Sequence, residues 1–332
     1  MALTPSRLLS ITVCLVLSAY AFVCYTTVQL VIFPSMGPEL TTPLVLHLSA
    51  FSAIALLGIV SYAAAVMIDP GSVPPGWMPD AEENNDMAVQ EVKSDGGARF
   101  CSKCQAYKPP RCHHCRICKA CVLRMDHHCV WIANCVGQHN YHPFFLFVLY
   151  FLVGCAYALY LLINQLLQDI DSLEDTASEA QERDRRRLPH QSFEISWDSL
   201  YRIFTAILVL PLAIGLGVLF CWHVYLVLHN KTTIEYHEGV RARWLAKKKG
   251  QLYKHPYDLG IVRNLITIFG PNATSWFWPT LQSPGGDGLS FRTYLHLSTE
   301  TDRSVGLDEE VRLETRTDDD DFISLGHKPV IH

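Results

Sequence analysis

The sequence predicts an all-α integral membrane protein of four transmembrane helices, with a cysteine-rich domain set between the second and the third. Two observations carry this. Four windows of the 332-residue chain contain no Asp, Glu, Lys or Arg: Leu8–Phe33, Leu44–Ile68, Phe144–Leu167 and Ile203–Leu228. Each exceeds the roughly 20 residues that a helix rising about 1.5 Å per residue needs to cross a bilayer core of about 30 Å. The second observation is clustering: eight of the twelve cysteines fall between Cys101 and Cys135. Charged residues make up 18% of the chain, below the roughly 25% of soluble domains. A soluble globular enzyme is excluded. A cleaved signal peptide is excluded too, because the first window is too long for its apolar core and lacks a convincing small-x-small cleavage site before Pro34.

The elements follow in order. Residues 1–68 comprise a short head ending at Arg7 and the first two spans, joined through Pro34, Gly37 and Pro38. Asp69-Pro70-Gly71 stops the second span, since proline cannot continue a helix and glycine allows the reversal. Residues 69–98 read as a flexible loop rich in Pro, Asp, Glu, Asn and Gly. Residues 99–143 form the cysteine-rich domain. Residues 144–228 hold spans three and four around a charged loop at 168–202, with Pro211, Gly215 and Gly217 as points of bending or close packing. In residues 229–298, Thr232-Thr233-Ile234-Glu235 has the capping-box pattern and opens an interfacial helix with Tyr236, Val240 and Trp244 on one stripe. Trp276-Phe277-Trp278-Pro279 suits a membrane-interface anchor. Residues 299–332 form an acidic disordered tail, and no internal repeat is evident.

Charge sets the orientation. The first inter-span loop has no Lys or Arg between Pro34 and Pro43, whereas the segment between spans two and three carries eight, from Lys93 to Arg124. Arg241, Arg243 and Lys247-Lys248-Lys249 follow span four. The positive-inside rule then places both termini and the cysteine-rich domain in the cytosol, against the opposing Arg183, Arg185, Arg186 and Arg187 of the 168–202 loop. A reducing cytosol makes these cysteines thiols or metal-bound thiolates. The net charge of −5 sums unlike parts and gives no field for nucleic acid.

Three C-x2-C pairs, Cys101/Cys104, Cys115/Cys118 and Cys118/Cys121, have the knuckle spacing of structural zinc. Two closed sites need eight ligands. Eight cysteines would suffice, yet the pairs His113-His114 and His127-His128 then lack a role, and spacing alone does not choose the set.

The segment resembles the Asp-His-His-Cys domain of protein S-acyltransferases (palmitoyltransferases), matched by Asp126-His127-His128-Cys129. Cys101, Cys104, Pro109, Arg111, His114, Cys115, Cys118, Cys121, Cys135, Gly137, Asn140 and Phe144 fall at that family's spacing. Asp69-Pro70-Gly71, Thr232–Glu235 and the stretch Tyr257–Gly270 with Asn264 match its flanking motifs, so the likeness covers roughly residues 8–270. Val130 stands where the family has proline, and Cys112 is an extra thiol. The resemblance implies two structural zinc ions, one on Cys101, Cys104, His114 and Cys121, the other on Cys115, Cys118, His128 and Cys135. It implies that Cys129 is the nucleophile, His127 its base and later acid, and Asp126 the group orienting His127, with Thr233 reaching toward Asp126.

The chemistry is consistent with those roles. A free thiol near pKa ~8.5 is mostly protonated at neutral pH, and an adjacent imidazole backed by a carboxylate relieves it of its proton. The implied reaction moves a long-chain acyl group from fatty acyl-CoA to Cys129, then to cysteines of membrane-associated client proteins. The chain would lie between the four helices. Lys108, Arg111, Lys119 and Arg124 are candidates for CoA phosphates, and Gly154, Ala156 and Ala158 for leaving room for the chain. The alternative is a non-catalytic, membrane-anchored zinc scaffold; a transporter is disfavoured by spans that contain no Asp, Glu, Lys or Arg to form an ion pathway. Cys14, Cys24, Cys155 and Cys221 read as small apolar residues, and His47 and His223 as packing or interfacial ones.

Overall fold

The computed structural model describes residues 5–36, 41–79, 98–185, 197–280 and 286–294. Helix α1 spans Ile11–Thr27 and is prolonged by a π-turn at Val28–Ile32 and a last turn at Phe33–Met36. Helix α2 covers Thr42–Met67, α3 Tyr141–Arg185 and α4 Trp197–Leu228. All four are long and apolar enough to cross a membrane. Thr41 caps α2 by accepting from the Leu44 N–H, with Pro43 in the first turn where its missing donor costs nothing. Helix α3 does not stop at the expected boundary near residue 167. It continues to Arg185 through Ala-, Glu-, Gln- and Arg-rich sequence that favours helix, and Arg202 of α4 pairs with its Asp169 at 3.0 Å.

Aromatic rings knit the bundle. Tyr20 of α1 stacks on Phe151 of α3 at 4.4 Å and donates to the Ala55 carbonyl of α2 at 2.7 Å. Gly58 lets α2 approach α3, since a Cβ there would come within 3.1 Å of the Phe151 ring.

The cysteine-rich domain corrects the all-α expectation in one respect. Six short strands pair as three antiparallel hairpins: β1 (Phe100–Cys101) with β2 (Ala106–Tyr107), β3 (His113–Cys115) with β4 (Ala120–Val122), and β5 (His127–Cys129) with β6 (Asn134–Val136). Each hairpin turns through four residues and ends on one with positive φ: Gln105, Lys119 and Ala133. The period is 14 residues, so a structural repeat exists where none was evident in the sequence. Cys101, Cys115 and Cys129 occupy equivalent places in it. The sequence carries part of it, since His113-His114-Cys115 recurs as His127-His128-Cys129, but the copy at Cys101 lacks the two histidines.

Hydrogen bonds fix this domain to the end of α2. Asn134 donates to the carbonyls of Ala65, Val66 and Ile68, and Asn140 to those of Ala65 and Cys135, satisfying groups that a helix C-terminus leaves open. Asp69-Pro70-Gly71 is the matching strap: the Pro70 carbonyl accepts from His139 N–H and that of Gly71 from Leu123 N–H. Gly137 is obligatory at this contact, because a Cβ would sit 2.6 Å from the Pro70 oxygen.

After α4, α5 (Thr233–Lys248) starts with the capping box read from the sequence, Thr232 and Glu235 each bonding the other's backbone N–H. Helix α6 covers Ile261–Phe269. The expected flexible stretch lies largely at 80–97 and the acidic tail at 299–332, both outside the described residues.

Candidate active centre and metal-capable clusters

The three hairpins bring two sets of four ligand atoms together, each set within 4.8 Å of one another: Cys101, Cys104, His114 and Cys121, and Cys115, Cys118, His128 and Cys135. His114 Nδ1 lies 3.6, 3.3 and 3.9 Å from the three sulfurs of its set. His128 Nδ1 lies 3.7, 3.4 and 3.5 Å from its own. A tetrahedral ion with Zn–S about 2.3 Å and Zn–N about 2.0 Å requires S···N separations of about 3.5 Å, so both cages fit zinc without rearrangement. The grouping interleaves the hairpins as the resemblance implied.

Cys129 belongs to neither set. Its hairpin has Ile132 where the other two have Cys104 and Cys118, so this turn offers no second sulfur. The thiol is 8% exposed and faces an apolar cavity of about 660 Å³ between α1, α2, α3 and α4, whose wall includes Trp131, Phe147, Phe151, Gly154 and Leu216. That volume lies within the roughly 300–1,000 Å³ of small-molecule sites. Tyr62 of α2 donates to the Trp131 carbonyl at 2.7 Å and holds the Cys129 turn at the cavity mouth.

Asp126 and His127 stand on the other side of the thiol. The buried Asp126 carboxylate accepts from His127 Nδ1 at 2.7 Å, from Thr233 N–H at 2.9 Å and from the Thr233 hydroxyl at 2.8 Å. Burial alone would raise its pKa; the bonds from His127 and Thr233 outweigh it and hold the carboxyl below its usual range. Burial likewise opposes a charged His127, yet its bonds to Asp126 and Cys129 raise the imidazole to about 9. An imidazole held at that value carries its second proton at neutral pH.

The structure withdraws two of the suggested phosphate partners. Arg111 is fully buried, with Nε and Nη2 donating to both Glu235 oxygens at 2.6 and 2.9 Å and its guanidinium between the rings of Tyr257 and Phe291. Arg124 is buried over the Tyr141 ring. Both are ties between the hairpin domain and its surroundings. Lys119 is exposed and Lys108 half-buried.

Sequence reasoning named His223 only as a packing or interfacial residue. It lies 1% exposed near the end of α4, with a ring nitrogen within 4.8 Å of ligand atoms of both Asp126 and His127. The available signal was an imidazole in an otherwise uncharged window, close to Thr232 and Thr233, which the sequence analysis read as packing.

Comparison with known proteins agrees with this geometry. The sequence profile of the DHHC palmitoyltransferase family matches residues 94–240. "Probable protein S-acyltransferase 16" of Arabidopsis thaliana is 47% identical over 254 residues, covering 76% of this chain and 82% of the relative. "Probable protein S-acyltransferase 15" of the same plant is 41% identical over 243 residues, 73% of this chain and 86% of the relative. "Palmitoyltransferase ZDHHC15A" of Danio rerio is 34% identical over 218 residues, 66% of this chain and 58% of the relative. A hairpin domain with two four-ligand cages and Cys129 outside both, joined to four apolar helices, is thus the architecture of a chain that belongs to the DHHC protein S-acyltransferase family.

Proposed function

We propose that the chain is a membrane-embedded protein S-acyltransferase in which Cys129 carries the acyl group. The observation that supports this best is the position of its sulfur, outside both cages, between Asp126–His127 and an apolar cavity. The fatty chain of acyl-CoA enters the cavity while its thioester stays at the cytosolic boundary. Burying a sixteen-carbon chain at ~0.8 kcal/mol per CH2 sets an upper bound of about 12 kcal/mol, enough to favour long chains.

The Cys129 thiolate attacks the thioester carbonyl, and its former proton sits on His127, steadied by Asp126. The carbon–sulfur bond to CoA breaks, and the CoA thiolate leaves with the proton from His127. A client cysteine then gives its proton to His127 and attacks the Cys129 thioester. Its sulfur keeps the acyl group, and Cys129 leaves as thiolate. Thioester replaces thioester in both steps, so placement rather than driving force is what the protein supplies. Bound zinc would fill closed shells on the eight ligands named above and serve as a structural brace.

The four helices would span the bilayer with both termini and the hairpin domain in the cytosol, in an endomembrane or at the cell surface. Clients are membrane-associated proteins with cytosolic cysteines. The exposed Val240 and Trp244 of α5 and Phe277 and Trp278 beyond α6 suit an interfacial seat.

The test is incubation of purified protein in detergent with palmitoyl-CoA, with zinc counted in the same samples. A hydroxylamine-labile adduct is expected, and Cys129→Ser removes it while zinc stays near two per chain. An adduct that survives in Cys129→Ser overturns the assignment. A wild-type chain that holds zinc and takes up no acyl group would be the membrane-anchored scaffold instead.

A further inference from the structure

We propose that His223 is a positioning residue for acyl transfer, setting the His127 ring from the membrane side. The proposal rests on the roles given above to Cys129, His127 and Asp126. His223 sits inside a helix fit to span the bilayer, where a polar ring with no partner would be expensive. It has one partner in Tyr141, whose hydroxyl lies 3.1 Å from Nδ1, both groups buried. If the phenol donates to Nδ1, the ring proton stays on Nε2 and the tautomer is fixed.

The remaining neighbours are the catalytic ones. The rings of His223 and His127 are 6.0 Å apart, and Phe144 packs edge-on against both, at 5.1 Å from His223 and 5.5 Å from His127. His127 thus lies against the Asp126 carboxylate, the Phe144 ring and the His223 ring together. These contacts keep the imidazole from rotating away from Asp126 and Cys129.

Asp126, His127 and His223 could also be read as a third metal cage. The bonds already made argue against it. Thr233 N–H, the Thr233 hydroxyl and His127 Nδ1 all donate to Asp126, and Tyr141 holds Nδ1 of His223, so a cation would have to displace several of these partners. The cluster is therefore a hydrogen-bonded assembly. A displacement near 1 Å at such a site costs on the order of a hundred-fold in rate, which makes a buried restraint on His127 worth keeping.

Three single variants and one double variant test this in the palmitoyl-CoA assay, with zinc counted and Cys129→Ser alongside. His223→Phe preserves a ring against Phe144 but removes both nitrogens. At saturating palmitoyl-CoA it should slow adduct formation by about ten-fold or more, with the half-saturating concentration unchanged within about two-fold and zinc still near two. His223→Gln returns an amide donor and should recover to within about three-fold of wild type. Tyr141→Phe, which loses only the hydroxyl, should slow the reaction too, and Tyr141→Phe combined with His223→Phe should be no slower than His223→Phe alone. If His223→Phe loses zinc and misfolds, Tyr141→Phe and His223→Gln decide the matter. Wild-type rates in both His223→Phe and Tyr141→Phe overturn the proposal, as do additive losses or a loss confined to half-saturation. An adduct persisting in Cys129→Ser instead overturns the nucleophile on which the proposal rests.

Discussion

The hairpin domain and the four-helix bundle solve opposite problems. The domain is polar, built from two- and three-residue strands, and takes its place through named bonds: Asn134 and Asn140 to the end of α2, Asp126 to Thr233, Arg111 to Glu235. The bundle is apolar and held by ring packing, with little directional bonding, and it leaves a cavity of about 660 Å³ unfilled. One region defines where an atom sits; the other defines what shape can sit beside it. Cys129 lies at their junction, so the two kinds of order should fail differently when disturbed.

The largest difference should follow metal removal. Structural zinc contributes on the order of 10–16 kcal/mol in small cysteine–histidine domains, and three short hairpins have little core to replace it. Stripping the protein with a strong chelator should abolish adduct formation, while far-ultraviolet dichroism in detergent keeps most of its helical signal. Global loss of helix would show that the bundle leans on the domain, and the contrast would break.

Next comes the tie between domain and α5. Removing one partner of a buried ion pair costs about 3–5 kcal/mol, because the other charge is stranded. In Arg111→Leu the Glu235 carboxylate loses its two guanidinium bonds and keeps His255, at 3.4 Å, and the Thr232 N–H beside it. Burial pushes the Glu235 carboxyl up, but Arg111 and His255 together hold it well below its ordinary value. A depressed carboxyl adds stability that is full above the unfolded pKa near 4.3 and fades as acid protonates it. Thermal unfolding near neutral pH should therefore fall sharply in Arg111→Leu, and the gap from wild type should narrow below about pH 4. An unchanged melting temperature would show that the tie is ornamental.

A cavity change should be gentler and selective. Where Gly58 has no room, a Cβ at Gly154 meets only the Ile54 methyl at 3.7 Å. Gly154→Leu should therefore fold and occupy space that the acyl chain needs. Displacing about four methylenes at ~0.8 kcal/mol each shifts preference toward shorter chains by up to about 3 kcal/mol. Competing twelve- and sixteen-carbon acyl-CoA measures it; an unmoved ratio would place the chain elsewhere.

How much was legible beforehand follows the same division. Ligand chemistry is written in residue types, so C-x2-C spacing announced the metal sites, and four charge-free windows announced the helices. The interleaved pairing of ligands came from resemblance, since spacing admits several sets. What stayed hidden depends on the third dimension. The 14-residue repeat shows in part as His113-His114-Cys115 and His127-His128-Cys129, and becomes three hairpins only through the backbone turns ending at Gln105, Lys119 and Ala133. Arg111 and Arg124 read as surface charges because no local pattern reveals that Glu235 or the Tyr141 ring waits far along the chain. A cavity between the helices was expected from the resemblance, but its lining and the approach of His223 to Asp126 follow only from how the helices pack.

The smallest effect should separate the two thiols of the hairpin domain that lie outside both metal-capable clusters. Cys112 is the extra cysteine of the hairpin domain and the first alternative to Cys129 as acyl carrier. It is fully buried beside Cys101 and Cys121, and burial pushes its thiol up to about 11 despite Arg99 and Lys108 nearby. A thiol at that value is about one part in ten thousand thiolate at neutral pH, too little to compete for acyl-CoA. No carboxylate–imidazole pair like Asp126–His127 adjoins it in sequence, and it does not line the apolar cavity. Cys112→Ala should therefore form adduct within about two-fold of the wild-type rate, with zinc near two, at a cost in stability of about 1 kcal/mol for the lost sulfur. A large fall in rate with zinc intact would mean that position within the hairpin domain, without a cavity beside it, is enough to make a cysteine an acyl carrier.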